Sequence, residues 1–567
     1  MEEHIHLYNT ISEFESVYNS SAYTEPFVGY VLETQSAKYN KDYKSAPLTL
    51  NITSGGTINW VTSNTALTKT IEYKLNDGSW SAITSNTGSS APSISVSTGD
   101  IVQFRGNNSN YGSEQSYNSF SGSTAKFYVE GNIMSLIDST NFATATTLTS
   151  AYTFYYLFRN CTGLTSAEHL VLPATTLADS CYNSMFVGCM SLTTAPALPA
   201  TTLAKNCYEY MFSNCTGLTT APTLPATTLA NYCYGSMFYG CTSLTTAPSL
   251  PATTLNSYCY YGMFNGCTGL TTAPSLPATT LANGCYRQMF QGCTGLTTAP
   301  ELPATTVAQH CYYCMFYNCT SLTTAPELPA TTLAESCYSS MFEGCSGLTT
   351  APSTLPATTL VGSCYNRMFC GCTSLTTAPE LPATTLATQC YNNMFYGCTS
   401  LTTAPELPAT TLVDWCYNNM FYGCSNLNYI KCLATNISAD RCTSSWMNGV
   451  AATGTFVKAA SMTGWTTGDS GIPTGWTVKN RNSVSINLGV PVAYKPFTIK
   501  VNMSDGYEGD CHLTVNNVEY VSSNIGGRAK FSIPGLPAGT YTVYVELPET
   551  ASYDSVSTTA ILTVTPD

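Results

Sequence analysis

Apolar residues between positions 150 and 450 recur in a fixed beat that matches neither a free-standing helix nor a simple strand. A unit reads LTTAPxLPATTLAxxCYxxMFxGCTS, with single Leu residues set among Thr and Pro, then a dense Cys, Met and Phe cluster. The first Cys of each unit falls at 181, 207, 233, 259, 285, 311, 337, 364, 390 and 416. The step is 26 residues, apart from one of 27 where Ser353-Thr354 brings an extra residue. Degenerate copies flank these ten. Thr153, Leu157-Phe158 and Cys161 take the key places before them, and Cys442, Trp446-Met447 and Val450 take them after. Such a repeat predicts a solenoid with capping turns, each turn burying its apolar face against its neighbours. Leu192, Leu198, Leu203, Cys207, Met211, Phe212 and Cys215 are expected to point inward. The Pro-Ala-Thr-Thr piece should bend the chain, and CYxxMFxGC should make a short helical turn. About twelve turns at a β-strand spacing would span on the order of 55–60 Å.

Outside the repeats the beat changes to alternation. Residues 46–132 read as strands between Gly, Asn and Ser turns (LTLNI, TINWV, TIEYKL, ISVS, IVQFRG, KFYVEG), and Asn76-Asp77-Gly78 is a hairpin signal. They predict a small β-sandwich. Residues 133–450 hold the solenoid, and residues 451–480, with Trp465 and Trp476, are expected to cap it. Residues 481–567 alternate again (SVSINL, FTIKVNM, HLTVNNVEYV, AKFSIPGL, TYTVYVEL, TAILTVTP) and predict a second sandwich. Residues 1–45 form a separate N-terminal unit with an alternating stretch over residues 27–32.

The succession of Leu, Leu-Pro, a small or Cys residue, an aromatic and Gly-Cys-x-x-Leu resembles the BspA-like leucine-rich repeats of bacterial surface proteins. Similar repeats occur in proteins of gut bacteroidetes and their phages. The resemblance spans residues 150–450. It implies a fold that is mainly β with short helical turns, a leucine-rich-repeat solenoid flanked here by β-sandwich modules. The unit is longer than the shorter ones common in that family. Two briefer likenesses accompany it. HLYNT, SEFES and PFVGYVLETQSAKYNK resemble the N-terminal attachment segments of gut-phage fibre proteins. Gly535-Leu-Pro-Ala-Gly-Thr-Tyr541 resembles the penultimate turn of bacterial Ig-like modules.

Composition narrows the function. Charged residues make up 9% of the 567-residue chain, against roughly 25% in ordinary soluble domains. The net charge of -13 argues against a nucleic-acid partner, because phosphate binding needs clustered Lys and Arg. Thr, Pro, Asn or Ser interrupts every apolar run before the roughly 18 residues of a membrane helix, so membrane insertion is not expected. The start, MEEHIHLYNTISEF, has no basic region or apolar stretch and does not read as an export signal. Folding in a cytosol is therefore expected. In that setting the 26 Cys, twenty of them in two columns, read as ladders of buried reduced thiols rather than intra-turn disulfides such as Cys181–Cys189. Cys311-Tyr-Tyr-Cys314 and Cys370-Gly-Cys372 imitate metal spacings, but no His or second Cys pair joins them.

No catalytic constellation is visible. The five His (His4, His6, His169, His310 and His512) lie in different segments, and no glycine loop suits a phosphate. No enzyme, cofactor or resident metal is expected. Glu301, Glu327, Glu380 and Glu406 share one column; solvated charge is the plainer reading of the pairs 301/327 and 380/406, and a weak shared calcium ion the sharper one. The informative positions are those that vary between turns, after Met-Phe and before Cys-Tyr. They are rich in Tyr, Asn, Ser and Gly, residues that binding surfaces favour. Tyr232, Tyr239, Tyr258, Tyr261, Tyr317, Tyr396, Trp415 and Tyr422 are the candidate partner-binding surface. Drift on a solvated face is the plainer reading of the same columns. Two function classes follow. One is a virion structural or attachment protein (a head fibre or capsid decoration, with a tail-associated receptor binder next) that meets capsid or other virion proteins through its N-terminal segment. It would meet a host surface protein or glycan through the solenoid or Ig-like tip. The other is a bacterial cell-surface adhesin. Either is compatible with a homo-oligomer, and the expected location is the virion surface or, alternatively, the bacterial cell surface.

Overall fold

The computed structural model describes residues 5–8, 28–31, 36–39 and 42–567. The protein is mainly β, and among the described residues the helices are short 3-10 turns such as Ile133–Leu136. The chain divides into two compact units, residues 1–301 and 302–567, with repeat turns in both.

Each turn has two unlike limbs. In the Cys-Tyr limb, Cys181, Asn183, Met185, Val187 and Cys189 donate their N–H groups three residues back, to Ala178, Ser180, Tyr182, Ser184 and Phe186. The residues between them, Ser180, Tyr182, Ser184, Phe186 and Gly188, donate to the next turn, at Lys205, Cys207, Glu209, Met211 and Ser213. Ser180, Ser184 and Gly188 have φ of 53°, 56° and 74°. The expected short helical turn does not form here. An α-helix spends each N–H within its own segment, whereas this limb leaves every second one to knit the stack. A left-handed residue at every fourth position keeps the chain from coiling. Ser336, Ser340 and Gly344, with φ of 53°, 54° and 76°, repeat the pattern in the second unit.

The Thr-Pro limb is held more sparsely. Successive turns meet at isolated parallel bridges, Thr220↔Thr246↔Thr272↔Thr298 in one column and Thr228↔Thr254 in another. Prolines such as Pro222 and Pro225 remove the donors a continuous ladder would need. Where the copies lose those prolines, true strands appear. His169–Val171 pairs in parallel with Lys126–Asn132 in the first unit. Tyr429–Cys432, Thr455–Lys458 and Thr477–Asn480 form a parallel three-stranded sheet in the second.

The interior is built of ladders of like residues. Leu192, Leu198, Cys207, Met211, Phe212 and Cys215 are buried as expected, while Leu203 is half-buried. Its equivalents Leu229 and Leu281 are buried, so this column lies at the margin of the core. Phe186, Phe212, Phe238 and Phe264 stack face to face at 5.5–5.7 Å. The Tyr of Cys-Tyr also points inward: Tyr182, Tyr208, Tyr234 and Tyr260 stack at 5.7–5.9 Å. The flanking segments finish these ladders. Phe120 stacks on Phe158, and Tyr111 on Phe154, so the first module supplies the opening rungs. At the other end Tyr417 and Phe421 both meet Trp446, which stacks on Trp465 at 5.4 Å.

The first module contributes a six-stranded sheet, in spatial order His169–Val171, Lys126–Asn132, Leu48–Ser54, Ile101–Arg105, Thr70–Leu75 and Ser81–Thr84. Residues 133–136 belong with it, since Ser135 Oγ donates to Phe104 O and accepts from Leu48 N. The last segment has a three-stranded sheet (Val484–Asn487, Phe497–Met503, Arg528–Ile533) and a four-stranded one (Val518–Ser523, Asp510–Val515, Gly539–Leu547, Val556–Val564). Both draw on one core that includes Ile499, Val501, Leu513, Phe531, Val543 and Val545. In the N-terminal segment, Ile5–Tyr8, Val28–Val31 and Ser36–Tyr39 form a small sheet. His4 and most of the attachment-like stretch lie outside the described residues.

Candidate functional surface

One variable column, the residue before Cys-Tyr, is a left-handed position of the turns, whereas the column after Met-Phe (Val187, Ser213, Tyr239) has ordinary backbone. The residue before each Cys-Tyr is Ser180, Asn206, Tyr232, Tyr258 or Gly284 in the first unit, with φ between 53° and 57°. Side chains launched from such positions lie along the stack and meet their equivalents one turn away. Tyr232 and Tyr258 are stacked at 4.8 Å, with planes 6° apart. A Cβ on Gly284 would collide with the Tyr258 ring, so the residue following that pair can only be small. In the second unit Arg441 covers the Trp415 ring at 4.6 Å, and Ser363 Oγ donates to Gln389 Oε1.

The eight sequence-derived residues do not form a single cluster. Tyr232, Tyr258 and Tyr261 come together, with Tyr261 edge-on to Tyr258 and Arg287 above the Tyr261 ring. Tyr396 and Tyr422 form a second stacked pair at 4.8 Å. Tyr239 is exposed without such a stack, Tyr317 is half-buried, and Trp415 is engaged by Arg441.

The first unit carries further aromatic groups that the repeat pattern did not single out. Tyr155 lies 4.3 Å from Tyr156 and 5.4 Å from Tyr152, and Tyr156 lies 5.1 Å from Tyr117. Arg159 caps the Tyr117 and Tyr156 rings and donates to Tyr117 Oη. Tyr210 is 37% exposed. Burial raises its phenol's pKa, a hydrogen bond with Ser236 opposes the rise, and the charges of Glu209, Tyr261 and Tyr156 add to it. Glu209 accepts from Asn183 Nδ2 and Asn206 Nδ2, while burial raises its own pKa. Tyr152, Tyr155 and Tyr156 occupy variable columns of the degenerate first copy, YTFYYLFR. With Thr153 at the first Cys place, that copy already puts Tyr152 in the column before it, which was the signal available.

The thiols do chemistry of packing. All 26 are buried thiols outside any disulfide. Those of the second column donate to the Phe carbonyl one turn back, as Cys189 Sγ does to Phe158 O at 3.0 Å and Cys398 Sγ to Phe369 O at 3.1 Å. Burial pushes Cys189 and Cys345 up to about 12, away from nucleophilic use. Among the described residues no group of three His, Cys, Asp or Glu could hold a metal ion. The calcium reading of Glu380/Glu406 is overturned, because Glu406 is paired with Lys431 at 3.4 Å and Arg481 at 3.8 Å. Glu327 instead accepts from Ser353 N and Oγ.

A stack of knitted turns with a buried invariant interior and a variable exterior defines a repeat-scaffold protein. The BspA type leucine rich repeat region matches in six copies over residues 140–271, 263–365 and 354–445, more than half of the chain. The chain belongs to that family. No curated protein matches it. The solved "Crystal structure of TLR13-ssRNA13 complex" is 15% identical, over 50% of this chain and 35% of that one, with a TM-score of 0.21. This chain thus spans about a third of that structure's length, and so slight a likeness carries no argument.

Proposed function

We propose that this protein is a non-enzymatic adhesion and display protein whose repeat turns present a variable aromatic face to a host surface protein or glycan. The observation that carries this is the two groups of touching rings in the first unit, Tyr117 with Tyr152, Tyr155 and Tyr156, and Tyr232 with Tyr258 and Tyr261, with the exposed Tyr210 within electrostatic reach of Tyr156 and Tyr261. Interiors keep like residues for packing reasons, but neighbouring half-exposed rings in columns that vary from turn to turn have no such reason. Tyr offers large, rigid contact area at low entropy cost.

Within that class our reading is a virion structural or attachment protein, a head fibre or capsid decoration. It would be anchored through residues 1–45, with about twelve repeat turns between β-sandwich modules. The shared core of the two C-terminal sheets supports the second sandwich. Its Ig-like character is supported by Tyr541, whose hydroxyl donates to Pro537 O as a tyrosine corner does. A tail-associated receptor binder and a bacterial cell-surface adhesin are the alternatives. Labelled full-length chain should bind host cells, and the Tyr210→Ala, Tyr232→Ala, Tyr258→Ala triple variant should bind at least tenfold less while folding normally. Unchanged binding by a folded triple variant rejects the aromatic face. Antibody labelling of particles from the source separates virion from cell surface.

A further inference from the structure

The segment closing the repeats contains a hollow of about 520 Å³, within the roughly 300–1,000 Å³ of small-ligand sites. Its floor is apolar and pre-built. Met462, Ile472 and Trp476 are buried, and Trp465 is clamped between Trp446, stacked at 5.4 Å, and the edge of Phe456 at 5.3 Å. Trp476 Nε1 is fixed to Ala451 O, and Lys458 Nζ is held by Met462 O and Asn480 Oδ1. The rim is hydroxylic, with Thr463, Thr466, Thr467 and Thr474 all exposed. Trp465 Nε1 has no hydrogen-bond acceptor. Buried indole N–H groups normally find one, so a donor is left over in a residue that lines the hollow.

From this arrangement we infer that the hollow is a binding site for a neutral pyranose, one or two rings of a glycan. Two indoles and a proline, Pro473, meet the apolar faces of a sugar ring, and the threonine hydroxyls meet its oxygens. An anionic sugar is disfavoured, because the one cation lining the hollow already has two oxygen partners. A long acyl chain would leave the hydroxyl rim without use. This site is separate from the aromatic face proposed above and does not depend on it.

Saturation-transfer NMR and intrinsic tryptophan fluorescence on the full chain test it. The probes are methyl glucoside, methyl galactoside, methyl mannoside, chitobiose and, as a charged control, sialic acid. At least one neutral probe should receive transfer and shift the fluorescence at millimolar concentration. Val478→Trp, at a 42% exposed rim position, fills the hollow without disturbing the ring stack and should weaken that binding at least tenfold, as should Trp465→Ala. The Tyr232→Ala, Tyr258→Ala variant should leave it unchanged, which distinguishes failure here from failure of the aromatic face. No transfer from any neutral sugar, preference for sialic acid, or binding that survives Val478→Trp overturns the assignment.

Discussion

In the second unit two regions bury comparable residues by opposite means. Between residues 302 and 450, Phe342 packs on Phe316 and Phe369, copies of itself one turn away at 5.5 and 5.6 Å. In the C-terminal segment Phe531 shares a core with unlike residues from distant strands, among them Ile499, Leu513 and Val545. A stack of copies makes energetics a nearest-neighbour matter, whereas two sheets closing on one core stand or fall together. Phe342→Ala and Phe531→Ala should each cost about 3–5 kcal/mol, the largest effects expected. They should differ in reach. Hydrogen exchange should show protection lost in the turns around Phe342 and kept in Gly539–Leu547, and the reverse for Phe531→Ala. Uniform loss in both variants would abolish the distinction.

Alkaline pH sharpens the same contrast. Burial raises Cys337, Cys364 and Cys424 from 9.0 to about 12 in the fold. Below the unfolded value both states keep their protons and the contribution is fully present. Between about pH 9 and pH 12 only the unfolded chain ionises, so stability falls as pH rises. The repeats carry ladders of such thiols, while the C-terminal core carries Cys511 alone. Exchange protection in the repeats should therefore collapse with pH more steeply than in residues 497–564. Parallel loss would mean the thiols are already ionised or oxidised.

The repeats were legible because a period of 26 residues fixes which positions stack, whatever conformation they adopt. Conformation itself was less legible. CYxxMFxGC was expected to make a helical turn, but its Ser, Asn and Tyr at left-handed φ leave no compositional mark as Gly would. The Tyr of Cys-Tyr was not among the residues expected to point inward and is core, because an aromatic stacked on its own copy is enclosed on both faces. On the surface, single exposed residues could be named column by column. Which of them meet depends on the direction each backbone position gives its side chain, visible only in three dimensions.

The neighbour rule makes a more pointed prediction in the column of Gly-Cys. Gly344 sits at φ 76° and Asn318, one turn earlier, at φ 58°, so both residue types accept the backbone there. A Cβ on Gly344 would nevertheless strike Asn318 Oδ1, and the same clash links Asn214 to Gly240. Gly344→Asn should cost about 1–3 kcal/mol as overpacking. Adding Asn318→Gly should recover it to within about 0.5 kcal/mol in a double-mutant cycle read by denaturant unfolding. Without recovery the cost would be backbone strain, and the turns would not be choosing each other's residues.

The smallest effect decides the most about function. Tyr396 and Tyr422 lie flat on one another, 4.8 Å apart and 2° from parallel, with Tyr396 37% exposed. Their turns are already joined by Gly397 N donating to Tyr422 O and Phe395 N to Met420 O, so the rings are not needed for register. An aromatic pair that contributed fully would be worth about 0.5–1.5 kcal/mol beyond its buried area. If the pair is a contact surface held ready for a partner, the double Tyr→Ala variant should shift the unfolding midpoint by no more than about 0.5 kcal/mol, the ordinary scale of surface changes. It would then be felt in binding instead. A loss above about 1.5 kcal/mol would place these rings with the interior ladders as structural elements, and the variable columns would then be a second, outer spine rather than a recognition face.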